Sequence, residues 1–89
     1  MADFLCLKPG DRVLRLLGEY TMLMVVREVH HAVLVCDALY KDNTTFPGGW
    51  EFDRKTGIEE DPELGWGVEF GKSGSRLIHP EEGMIHGHA

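Results

Sequence analysis

Residues 12–40 read RVLRLLGEYTMLMVVREVHHAVLVCDALY, and this stretch decides the fold class. Arg12–Leu17 is a mixed apolar and basic run delivered by the turn cluster Lys8, Pro9, Gly10 and Asp11, and Gly18 with Glu19 lets the chain reverse. Thr21–Val29 is rich in β-branched residues, with Leu23, Val25 and Val29 on one face and Met22, Met24 and Val26 on the other. Both faces are apolar at its start, so the strand is expected to be buried on two sides there, and half exposed where Arg27, Glu28 and His30 appear. Val33–Tyr40 reads as its antiparallel partner, although no Asn-Gly or Asp-Gly fixes the turn type.

Outward from this hairpin the chain changes character. Lys41 to Gly49 is a loop by composition, since short polar residues compete for backbone bonds and Pro47, Gly48 and Gly49 interrupt ladders. Trp50 and Phe52 alternate with Glu51 and Asp53 in a short strand, and Asp53 to Gly57 forms a tight turn. Trp66, Val68 and Phe70 suggest a further strand, and Arg76, Leu77 and Ile78 a last one before Pro80. Short strands this closely spaced predict an all-β domain, a small barrel or sandwich with long loops. With 89 residues there is room for one core, so residues 1–80 are expected to form a single domain and 81–89 a flexible tail carrying histidines.

The eighteen residues from Trp50 to Gly67, WEFDRKTGIEEDPELGWG, together with the GDRVLR opening and the GKSGS segment, resemble short bacterial proteins of unknown function. These share a GDxV opening and a pattern like FDRxTGxExDxxLGWG, and the likeness spans roughly residues 8–79. The resemblance implies a small SH3-like β-barrel of about five short antiparallel strands. It brings no activity, catalytic residue or cofactor.

Composition narrows the function classes. No apolar run approaches the roughly 20 residues that span a bilayer. The start has an acid at Asp3 and no basic segment leading into an apolar core, which predicts a cytoplasmic chain. Cys6 and Cys36 lack CxxC spacing and are expected to be reduced thiols, Cys36 in the apolar run Val33–Cys36. Nucleophilic catalysis would need Cys36 beside a histidine and a carboxylate, but Asp37 points to the opposite face of the strand, and no enzyme activity is expected. Gly71, Lys72 and Ser73 do not make a phosphate loop, because the required glycine position is occupied by Trp66 and no helix follows. His79, His86 and His88 are the residues best suited to a metal, but they sit at or near a chain end without buried support, so neither a metal site nor another cofactor is expected.

Charge is segregated. Residues up to Thr44 carry six acids and five bases, whereas those from Thr45 onward carry nine acids and four bases, and nine of the eleven glycines lie from Gly48 on. Glu59, Glu60, Asp61 and Glu63 form the densest acidic run, expected as a solvated acidic loop, next to two tryptophans flanked by glycine, Trp50 and Trp66. Tryptophan area at the centre and carboxylates at the rim are the ingredients of a protein-binding surface, so Trp50, Trp66, Glu59, Glu60 and Asp61 are the candidate contact residues, for a partner protein or a second copy in a homo-oligomer. Open sheet edges of a five-strand barrel offer strand pairing between subunits as a further route. The alternative is nucleic-acid binding through Arg12, Arg15, Arg27 and Lys41, with Arg15 and Arg27 meeting on one face and aromatic rings stacking bases.

Overall fold

The computed structural model describes residues 4–69 and 71–80. Six strands follow one another in the chain: β1 Arg12–Leu17, β2 Tyr20–Val29, β3 Val33–Leu39, β4 Thr45–Asp53, β5 Glu59–Glu60 and β6 Ser75–Ile78. They form one antiparallel sheet in the order β5-β4-β3-β2-β1-β6. Its two ends approach each other: Ile58 bridges Arg76, and the Leu77 amide donates to the Gly57 carbonyl at 2.7 Å. The result is a small, nearly closed all-β barrel. No helix among the described residues is long and apolar enough to cross a membrane.

The first hairpin forms because Leu17 pairs with Tyr20 across Gly18 and Glu19, and Gly18 takes φ 63°, the left-handed region that tight hairpin turns require. The β2–β3 register slips at Arg27, between the Val26–Cys36 and Glu28–Val35 pairs. That bulge reverses the side-chain parity, so Val29 packs against the core although simple alternation places it on the face opposite Met24 and Val26.

Three expectations about the second half are corrected. The loop predicted for residues 41–49 is only partly a loop, because β4 begins at Thr45 and runs through Pro47, Gly48 and Gly49. These three residues bulge opposite Asp37 alone, since Cys36 pairs with Trp50 and Ala38 with Phe46. The Asp37 carboxylate fills the gap in the ladder. It accepts the Gly49 amide at 3.1 Å and two bonds from Arg27, Nε at 2.9 Å and Nη2 at 2.6 Å, which ties β2, β3 and β4 together. The strand expected around Trp66 and Val68 is instead two successive turns, closed by the isolated bridges Asp61–Trp66 and Gly67–Lys72, with Phe70 outside the described residues. Finally, Glu59 and Glu60 belong to a strand rather than to a solvated loop.

At the ends of the sheet Ile58 and Arg76 make one isolated bridge, so β5 and β6 meet there without a continuous ladder. The stretch of β4 before Trp50 lies beyond the two residues that β5 pairs, and it carries Pro47, which has no N–H to offer a further strand.

The core consists of inward residues from β1 to β4 and β6, among them Val13, Met24, Val26, Leu34, Cys36, Phe52 and Leu77, closed at one end by Phe4. Phe4 is 1% exposed, stacks on His79 with ring centroids 4.5 Å apart, and sits so close to Gly57 that a methyl there would stand 2.5 Å from its ring. Arg54 secures the same end, its Nη2 donating to the Leu5 carbonyl at 2.9 Å. Each fully buried Val, Leu, Phe or Met side chain of the core contributes about 1.5–3 kcal/mol by leaving water. The tail beyond Pro80, with His86 and His88, lies outside the described residues.

Candidate functional site

The turn after β4 sets the geometry of the site. Asp53 Oδ1 accepts the amides of Lys55 and Thr56 at 2.9 and 2.8 Å, and Gly57, at φ 78°, returns its amide to the Asp53 carbonyl. The chain therefore doubles back so that Glu51 stands directly opposite Glu60, and Phe52 opposite Glu59. Beyond β5, Asp61 Oδ1 accepts the Glu63 amide at 3.0 Å and shapes the Asp61–Gly65 turn. Between this turn and the bulge of β4 lies an open cleft of about 660 Å³, lined chiefly by Gly48, Trp50, Glu51, Glu60, Asp61 and Glu63.

The cleft brings together four of the five residues singled out for protein contacts, Trp50, Glu59, Glu60 and Asp61. Trp50 is its half-buried aromatic wall, and Glu60 and Asp61 supply carboxylates. Burial, and then the neighbouring charges of Asp53, Glu51 and Glu69, push the Glu60 carboxyl above the ordinary range. Like charges facing each other across two strands repel, and a cation between them removes the penalty.

Trp66 stands apart. Its ring packs on Gly74, where a side chain would strike it, and it is not among the cleft residues. Glu59 also differs from its expected role as a rim carboxylate: although it reaches the cleft floor, it is 2% exposed and faces the barrel interior. There its Oε1 accepts Arg15 Nε at 2.9 Å and Nη2 at 2.7 Å, while Arg15 Nε also donates to Ser75 Oγ at 2.9 Å. The same guanidinium carbon lies 5.2 Å from the centre of the Trp50 ring. Trp50 is therefore positioned between this buried ion pair and Gly48, where any side chain would collide with the ring.

The arginines proposed for nucleic acid are engaged individually rather than gathered into a patch. Arg15 is 8% exposed and bound to Glu59, and Arg27 is held by Asp37, so the shared surface expected of Arg15 and Arg27 does not form. Arg12 Nη2 donates to Asn43 Oδ1 at 3.3 Å, and Lys41 borders a separate groove beside Tyr40. Cys36 is buried in the core with its thiol pushed up to about 12 by desolvation and then by Asp37, which holds it in the unreactive protonated form, while Cys6 is exposed. Gly71 and Lys72 lie in a turn, and Ser73 follows it on the approach to β6.

Sequence reading missed the Arg15–Glu59 pair. The signal was present in β1, where Arg15 shares the inward parity of Val13, a position that a charge occupies only when its partner is also inside. Comparison of the chain with protein-family models, with curated proteins and with solved structures returns no significant match in any of the three.

Proposed function

We propose that this chain is a non-enzymatic interaction module that binds a positively charged protein segment in the acidic cleft beside Trp50. The observation that carries the reading is the convergence of Trp50 with Glu51, Glu60, Asp61 and Glu63 on one open surface. Two features support it. Burial, and then the charges of Asp53, Glu51 and Glu69, raise Glu60, and a cationic partner would relieve the repulsive part of that cost. Trp50 is held by neighbours on the barrel side, so little side-chain freedom is lost when a partner covers it. Nucleic-acid binding draws less support, because Arg15 and Arg27 are committed to internal carboxylates.

Calorimetric titration with octalysine, and with octaglutamate as control, tests the reading. Octalysine should bind, more weakly as salt rises, and Glu60→Gln/Asp61→Asn should weaken binding about tenfold, or about 1.4 kcal/mol. A variant of the same net charge but altered at residues that do not line the cleft, Glu19→Gln/Glu28→Gln, should retain it. Absence of binding at low ionic strength, or equal losses in the two double variants, would overturn the assignment.

A further inference from the structure

The inward face of the sheet continues past the point where it is buried. Cross-strand partners share a face, so the register traces Val13, Met24, Ala38 and Phe46 across β1 to β4 as one inward row. Leu77, Arg15 and Met22 form the next, and Ser75, Leu17 and Tyr20 the one after it. At one end of the barrel Phe4 is buried against Gly57 and His79. At the other, Phe46 is 51% and Tyr20 72% exposed, with Met22 half-buried between them and the interior. Large apolar side chains on the inward face of a small barrel are normally its core, so their exposure marks an open apolar mouth.

Below this mouth the barrel is sealed by polar groups. Glu59 and Ser75 both accept from Arg15, whose Nη1 also reaches the Met22 sulfur at 3.6 Å. Arg15, held by these bonds, is the polar floor beside Met22. The wall of the mouth is Trp50, whose ring centre is 6.0 Å from that of Phe46 and which also forms the wall of the acidic cleft. Apolar mouth and acidic cleft are continuous surfaces that meet at one tryptophan.

The geometry points to a bipartite site whose occupant is a basic amphipathic peptide, seating a bulky apolar side chain in the mouth against Phe46, Tyr20 and Met22 while its lysines or arginines lie along Glu51, Glu60 and Asp61. This inference rests on the interaction reading above and adds the apolar anchor. Charge complementarity selects the partner: a peptide bringing only apolar residues would leave the facing carboxylates Glu51 and Glu60 uncompensated, and an acidic one would be repelled. An apolar anchor in a pocket with charges at its rim is also how binding energy concentrates in such contacts.

Two synthetic octapeptides with six lysines each provide the probes, one with leucine at the third and sixth positions and the other with serine there. On the unmodified protein the leucine peptide should bind at least tenfold more tightly, a difference of about 1.4 kcal/mol. Phe46→Ser and, separately, Tyr20→Ser should collapse that gap, and Glu60→Gln/Asp61→Asn should weaken both peptides alike. Equal affinity of the two peptides would overturn the apolar mouth while leaving the acidic cleft standing, and binding of neither would remove both. Sedimentation showing a concentration-dependent dimer that Phe46→Ser dissolves would assign the mouth to a second copy of the chain and overturn the peptide assignment.

Discussion

Glu59→Gln isolates the buried ion pair without changing the volume of the site. Glu59 is 2% exposed and is the acceptor of two N–H groups of Arg15, itself 8% exposed. Removing its charge leaves a guanidinium in the barrel interior with no carboxylate to neutralise it, facing the neutral amide oxygen of the new side chain, the Ser75 hydroxyl, the Met22 sulfur and the Trp50 ring. Breaking one side of a buried pair costs about 3–5 kcal/mol, because the remaining charge stays desolvated. A chain of 89 residues has a total stability of about 4–13 kcal/mol at typical values per residue, so the loss is a large fraction of the whole. It corresponds to a fall in Tm of about 12–40 °C for a domain of this size. Urea unfolding followed by tryptophan fluorescence measures it, with Trp50 beside Arg15 as reporter. Replacing both partners, Arg15→Met with Glu59→Leu, removes both desolvation penalties and should leave stability within about 1 kcal/mol of the parent or above it. A loss below about 1 kcal/mol for Glu59→Gln, or a double variant as unstable as the two single losses summed, would refute the reasoning.

Phe4→Ala should cost about 3–5 kcal/mol in the same assay, and Gly57→Ala should also destabilise, since it combines φ 78° with a collision against the Phe4 ring. Glu60 is raised in the folded chain, so its charge opposes folding above the folded value and is harmless below the unfolded one; Glu60→Gln should raise the urea midpoint at pH 7 and give no gain in acid below about pH 4. Asp37 behaves with the opposite sign. The Arg27 hydrogen bond, and then the Gly49 amide, outweigh desolvation and lower it, so its stabilising contribution is present above the unfolded carboxylate value and is lost as the pH falls through the folded one. Asp37→Asn should therefore be less stable than the parent at pH 7 and approach it in acid. A thiol reagent at pH 8 should modify one cysteine in the native protein, Cys6, and both in denaturant.

The early strands were legible because local pattern and tertiary structure agree there. Arg12–Leu17 is read to the residue, and β2 and β3 differ from their expected limits by one, since alternation, Gly18 and β-branched content point the same way. The later misreadings have a common physical cause. Pro47, Gly48 and Gly49 carry every local mark of a loop, and they remain in β4 because a carboxylate on a neighbouring strand supplies the missing acceptor. Glu59 looks like one more solvated acid in an acidic run, yet its cation is Arg15, 44 residues earlier. Trp50 and Trp66 have similar glycine-rich surroundings in the sequence, and only the fold separates the one beside the acidic cleft from the one covering Gly74. The acidic and aromatic character of the site was therefore readable, whereas the division between surface and interior carboxylates depended on long-range pairing.

Backbone amide chemical shifts recorded during an octalysine titration at low ionic strength test the central claim most directly. Saturable shifts should concentrate at Gly48, Gly49, Glu51, Glu60 and Asp61, with residues lining a separate groove, such as His31, Ala32 and Lys55, unmoved. Absence of shifts, or shifts spread evenly over the acidic surface, would contradict the claim.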